Sequence, residues 1–142
     1  MANYVLYKRA NGTEMKLKIN SERAYELEER FGTSLTEKLA EANKFSVSAE
    51  YIAAAIPEGS YEDRKKAAFE LYDEMTENGK TLQDYHDLIN DILVKAGFLS
   101  ASIVEAQRKL IALQQQTSLA VIEARMVEIQ PKKESDTTAL PN

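Results

Sequence analysis

The apolar positions of the chain first alternate with charged ones and then change to a helical spacing. The sequence MKLKI at residues 15–19 alternates, and the strand-forming run YVLY stands before it at residues 4–7. Asn11 and Gly12 lie between the two runs, and this pair is the strongest short hairpin signal because both residues tolerate positive φ. The pattern predicts a β-hairpin over about residues 4–19, which must pack on helices or pair with another chain.

Between residues 21 and 97 the apolar residues recur at the three- and four-residue spacing of amphipathic helices. A residue with a short polar side chain precedes each run, and a glycine or proline follows most of them. The pattern therefore predicts five helices in this part of the chain. The predicted N-caps are Asn20 or Ser21, Ser34, Ser46 or Ser48, Ser60 and Thr81.

A periodic run of about 30 residues, long for a globular helix, begins after Ser100 and reaches Gln130. It carries one apolar stripe before residues 114–118 and a second one after them, and the second is shifted by one residue from the spacing of the first. The helix therefore either bends at residues 114–118 or its two halves face different partners. A helix of this length cannot bury both stripes on a small core, which predicts a partner chain, self-association or flexibility. The alternative is that the helix folds back wholly onto its own domain. The predicted partner-binding residues are Ile103, Leu110, Leu113, Leu119, Ile122 and Met126.

These elements predict a mainly α protein (α+β), with an N-terminal β-hairpin, a compact helical bundle and a long C-terminal helix. We expect residues 1–99 to form the hairpin and helical core domain and residues 100–130 to form the long amphipathic helix. Residues 131–142 are polar and unpatterned, and we expect them to be a disordered tail.

Composition narrows the function classes. The chain has 142 residues and a net charge of −5, which argues against a nucleic-acid-binding protein because such binding needs a basic surface. It has no cysteine, so a disulfide framework and thiol chemistry are excluded. No apolar stretch approaches the roughly 20 residues that a membrane-spanning helix requires. Charge is also uneven, since residues 21–99 carry a net charge of −8 whereas residues 100–142 are neutral.

The sequence shows no catalytic constellation. His86 is the only histidine, and its neighbours Asp84 and Asp87 would not face it on a helix, so we interpret it as a surface or boundary residue. A di-iron site in a helical bundle needs a glutamate three residues before its histidine, but Gln83 occupies that position relative to His86. There is no glycine-rich phosphate loop. We therefore predict a protein without enzymatic activity, cofactor or metal.

Four segments in order resemble the tail assembly chaperones of long-tailed phages and prophages of Gram-positive bacteria. The resemblance covers roughly Met15 to Leu99 and consists of helix-packing and turn patterns rather than a catalytic signature. The segments are MKLKIN, YELEERFGTSLTEKL, FELYDEMTENGKTLQDY and INDILVKAGFL.

The resemblance implies a role in virion morphogenesis. Proteins of this family are encoded between the genes for the tail tube protein and the tape measure protein. They coat the tape measure protein in the host cytoplasm until tube subunits polymerise around it. They are absent from the finished tail. Many also occur in a longer form that arises from a ribosomal frameshift, through which the tail tube protein becomes a second partner. No cofactor is implied, and an amphipathic groove would suit a partly apolar client helix.

Two other functions compete with this one. A structural helical virion component, such as a head–tail connector adaptor, would remain in the mature particle. A small hydrolase or nucleotide-handling enzyme would need a pocket with convergent polar groups, which the sequence does not indicate.

Overall fold

The computed structural model describes residues 3–114, 116 and 117, and these residues are mainly helical after an N-terminal hairpin. This confirms the predicted fold class. The predicted extension of the last helix to Gln130 and the predicted tail 131–142 lie outside the described residues. The elements are β1 (Val5–Lys8), β2 (Glu14–Leu17), α1 (Ser21–Phe31), α2 (Leu35–Lys38), a 3₁₀ turn (Leu39–Glu41), α3 (Phe45–Ala55), α4 (Tyr61–Glu77) and α5 (Leu82–Lys95).

The hairpin forms as predicted, but its turn differs from the expected one. The strands are antiparallel, with Leu6 opposite Lys16. Gly12 has φ of +87°, whereas Asn11 does not have positive φ. The amide of Gly12 donates to the carbonyl of Arg9 (3.0 Å), and the amide of Arg9 donates to the carbonyl of Thr13 (2.8 Å). The connection is thus a three-residue loop with glycine in the left-handed position, rather than a two-residue turn.

The Asn11 side chain explains this choice of turn. Its Oδ1 accepts hydrogen bonds from the amide (3.0 Å) and the hydroxyl (2.6 Å) of Thr13. Asparagine commonly bonds to the backbone two residues ahead in this way, and the bond closes the loop while Asn11 keeps negative φ. The sequence signal located the turn correctly, but the side-chain bond decided its type.

Helix α3 is the centre of the bundle and contacts α1, α4 and α5. Eight of its eleven residues are buried, including Tyr51 and Ile52, both with no exposed surface. Four residues of α3 are alanines, whose small side chains allow the neighbouring helices to approach on several sides. The hairpin joins this core through Leu17 and Ile19, which are 0% and 2% exposed. The apolar face predicted for β2 is therefore buried.

Four of the five predicted helix caps are confirmed, and one is wrong. The side chains of Asn20, Ser34 and Ser60 each accept a hydrogen bond from the amide three residues later, and Thr81 forms a reciprocal capping box with Asp84. The third helix was expected to begin at a serine cap.

In the structure α3 begins at Phe45, after Lys44, which makes no side-chain capping bond. Ser46 and Ser48, the predicted caps, both lie within the helix. Ser48 is buried, and its hydroxyl donates to the carbonyl of Ala42. Helix α3 begins earlier in the chain than predicted, and this places the ring of Phe45 4.6 Å from the ring of Tyr72 on α4.

Glu74 on α4 connects the hairpin loop to the helical core. Its Oε2 accepts from Arg9 Nε and its Oε1 accepts from the amide of Ala10, each at 3.3 Å. Val5, Tyr7 and Met15 of the two strands pack against the core, so these two bonds hold the loop end of a hairpin that is already seated on it.

The chain divides into two units, Met1–Ala101 and Ser102–Asn142. The first contains the hairpin and helices α1 to α5. In the second, the described residues are helical from 102 to 114 and at 116 and 117. None of the helices in the described residues combines the length and the apolar character that a membrane-spanning helix needs.

Candidate protein-binding surface

The helical residues 101–114, which we call the C-terminal helix, present large apolar side chains to solvent. Ile103, Leu110 and Leu113 are 56%, 54% and 58% exposed. At 100° per residue these three positions fall within an arc of about 80° and extend about 15 Å along the axis. An exposed stripe of branched aliphatic side chains on one helix face is typical of a surface that binds another helix.

These three residues belong to the partner-binding set predicted from sequence, and the structure places them together on one exposed face. The other three, Leu119, Ile122 and Met126, lie outside the described residues. The role of the set in binding a partner therefore stays a prediction.

Ile111 was missed by the sequence analysis. It is 39% exposed and lies about 80° from Ile103 around the helix, on the side away from Leu113. The heptad spacing that selected the other positions excludes residue 111, although the adjacent pair Leu110-Ile111 indicates a wider apolar face. With Ile111 included, the exposed apolar side chains span about 160° of the helix, with Gln107 and Gln114 between Ile103 and Ile111.

The electrostatics of this segment also suit a protein partner. The charged residues of the C-terminal helix, Glu105, Arg108 and Lys109, fall outside the arc of the exposed apolar side chains at 100° per residue. A neutral, apolar face can be desolvated at lower cost than a charged one. The stripe therefore combines exposure, apolar chemistry and low charge.

A second cluster, which the sequence analysis did not identify, lies between α1, α3 and the start of α4. Its charged members come from separate parts of the chain, so no local motif indicates it. They surround a cavity of about 10 Å³, far below the several hundred Å³ of a ligand pocket. The lining residues are Arg23, Glu26, Leu27, Arg30, Glu50, Ala54, Tyr61 and Arg64.

The contacts in this cluster tie the helices to one another. Arg64 is 7% exposed, and its Nη1 and Nε donate to the carbonyls of Ala53 (2.9 Å) and Gly59 (3.2 Å). The guanidinium of Arg30 stacks 3.3 Å from the ring centroid of Tyr61. The Tyr61 hydroxyl donates to Glu50. Arg64 therefore holds the end of α3 and the following turn, while Arg30 and Tyr61 join α1 to α4.

The charges in the cluster perturb one another. Burial lowers the pKa of the Arg64 guanidinium, and the nearby positive charges of Arg23 and Arg30 lower it further. Burial raises the pKa of Tyr61 to about 12, assisted by its hydrogen bond to Glu50. Arg64 stays charged and Tyr61 stays neutral near pH 7, so the contacts that these two side chains make can stabilise the fold.

Replacing Arg64 with methionine is expected to lower the free energy of unfolding by about 2–4 kcal/mol, because two charge-assisted hydrogen bonds to carbonyl groups are lost. Urea unfolding followed by circular dichroism measures this change. Lys66→Met on the exposed face of α4 is the matched control and should change the free energy by less than about 0.5 kcal/mol. Equal effects of the two substitutions would contradict a structural role for the Arg64 bonds.

His86 is partly buried on α5, as expected for a boundary residue. Within the part of the chain that the structure describes, no group of three or more metal-ligating side chains converges.

Comparisons of the chain with protein-family models, curated proteins and solved structures found no match. Of the features described, the exposed stripe of the C-terminal helix is the one whose chemistry points to a molecular interaction.

Proposed function

We propose that the protein is a phage tail assembly chaperone, a non-enzymatic protein that binds the tape measure protein and protects it during tail morphogenesis. The observation that carries the proposal is the exposed apolar face formed by Ile103, Leu110, Ile111 and Leu113. The order of segments between Met15 and Leu99 that resembles this family gives independent support.

A tape measure protein is a long helix, and its apolar stripe aggregates until tube subunits surround it. A second apolar helix face of similar width can cover that stripe by helix-to-helix packing, without a cofactor. The C-terminal helix supplies a face about 15 Å long over the described residues, enough for about three helical turns of contact.

The bound client would then be released to the growing tube in the host cytoplasm. Release requires an interface of moderate affinity, and a small apolar face without buried ion pairs suits that requirement. The proposal also includes a longer, frameshifted form that contacts the tail tube protein. A downstream open frame overlapping the codons for Lys132 and Lys133 would support this form, and an immediate stop in both alternative frames would eliminate it.

The proposal expects the tape measure protein to be encoded downstream of this chain's gene, and it is tested by producing the two proteins together. We expect the soluble fraction of the long protein to rise several-fold and the two proteins to purify together. Mass spectrometry of mature particles should then detect the tape measure protein but not this chain. Presence of the chain at a fixed copy number in mature particles would instead identify a structural component such as a head–tail connector adaptor.

A further inference from the structure

The outer edge of β1 carries backbone groups that the hairpin does not use. Hydrogen-bonded pairs alternate along an antiparallel ladder, and the bond from Arg9 to Thr13 fixes which positions they occupy. Tyr7 and Val5 therefore bond to β2, whereas the N–H and C=O groups of Leu6 and Lys8 point to the other side. In the described residues the sheet has two strands, so no third strand pairs with this edge.

A groove of about 420 Å³ runs beside this edge, between β1 and the last two turns of α5. The β1 wall contributes Tyr4, Val5 and Leu6, and Leu6 is 55% exposed. The opposite wall contributes Asp91, Val94 and Lys95. The volume is in the range of known binding sites, and an extended chain placed next to β1 would lie in the groove.

We propose that a second copy of this chain occupies the groove, with the two β1 strands pairing antiparallel about a two-fold axis at Leu6. The two hairpins would then form one four-stranded sheet across the dimer. This inference is independent of the proposed function, because it concerns contacts between copies of the chain and no client.

The side chains of β1 select this register. The outward backbone groups belong to even-numbered residues, so only even positions can form hydrogen-bonded pairs across the axis. With the axis at Leu6, Leu6 faces Leu6 of the second copy and Tyr4 faces Lys8 in both directions. This register forms up to six hydrogen bonds. With the axis at Lys8, two lysines would face each other, which is unfavourable. An axis at Val5 or Tyr7 also brings even-numbered residues opposite one another, but it forms only two hydrogen-bonded pairs within residues 4–8, whereas the axis at Leu6 forms three.

Lys16 Nζ lies 4.2 Å from the Tyr4 ring centroid, so Lys8 of the second copy would contact the part of the ring that Lys16 leaves open. The α5 wall of the groove carries both signs of charge, on Asp91 and Lys95, so a second copy does not meet a wall of like charge. The strand is only four residues long, and short edge strands limit association. We therefore expect a weak dimer with a dissociation constant between about 10 μM and 1 mM.

Sedimentation equilibrium of the full chain tests the dimer, with Leu6→Lys and Leu6→Glu as the variants. The wild-type mass should rise from 16.0 kDa toward twice that value with concentration. Each variant alone places like charges on the axis and should dimerise roughly tenfold more weakly. An equimolar mixture of the two should recover association to within about threefold of the wild type, because Lys and Glu then face each other.

Recovery in the mixture also shows that both variants fold, since misfolded hairpins could not restore the pair. Tyr25→Lys is the control because Tyr25 is 68% exposed on α1 and is not among the residues lining the groove, so its dimerisation should equal that of the wild type. A wild-type chain that stays monomeric to 1 mM would overturn the proposal. So would association that persists unchanged in both Leu6 variants, or that the mixture fails to recover.

Discussion

Replacing Tyr51 with alanine will lower the free energy of unfolding by about 3–5 kcal/mol. Tyr51 has no exposed surface at the centre of α3, and its ring centroid lies 5.2 Å from that of Phe31 on α1. Its hydroxyl donates to the carbonyl of Leu35, just after the Ser34 cap of α2. The substitution therefore leaves a cavity and removes a buried hydrogen bond at the same point.

Tyr51→Phe separates these two contributions. It keeps the ring but leaves the Leu35 carbonyl without its donor, so we expect a loss of about 1–2 kcal/mol. Urea unfolding of both variants measures the changes. If the phenylalanine variant were as unstable as the alanine variant, the hydrogen bond rather than ring packing would dominate; if both were as stable as the wild type, α3 would not be the centre of the core.

If the protein has the function proposed above, the double substitution Leu110→Glu with Leu113→Glu will weaken binding of the tape measure protein by at least about 100-fold while leaving the unfolding transition unchanged. Both side chains are more than half exposed, so the fold loses little, but the client would have to bury two carboxylates. Co-purification from cells that produce both proteins measures the loss, and circular dichroism measures the fold.

Lys80→Glu is the matched control, because it changes the net charge by the same −2 at an exposed position between α4 and α5. It should bind the client as the wild type does. The same change at Leu119 and Ile122 extends the test to the predicted residues outside the described part of the chain. An unfolded double variant at Leu110 and Leu113 would contradict the exposed-stripe interpretation, since it would mean that these residues support the core.

Local signals predicted the elements of the first hundred residues well. Asn20, Ser34, Ser60 and Thr81 each cap a helix because a short polar side chain can reach the amide three residues ahead without help from the rest of the protein. The strand alternation at residues 15–19 likewise predicted which side of β2 is buried, since the side-chain period of a strand is two whatever it packs against.

Where the sequence misled, a distant contact outweighed the local preference. Ser48 had the chemistry of a cap, but the aromatic packing of Phe45 on Tyr72 starts the helix earlier and leaves the Ser48 hydroxyl to bond the Ala42 carbonyl. The pair Asn11-Gly12 allowed more than one turn, and the bonds from Thr13 to the Asn11 side chain selected the three-residue loop.

The sequence by itself determined that this protein is mainly helical after a hairpin, because caps, turns and apolar periods act over three or four neighbouring residues. It also predicted an exposed stripe at Ile103, Leu110 and Leu113, since heptad spacing is local. Only the tertiary structure brought Arg64 to the carbonyls of Ala53 and Gly59 and opened a groove beside β1. Those arrangements join residues far apart in the chain, and their geometry follows from how the helices pack on α3, which no local period encodes.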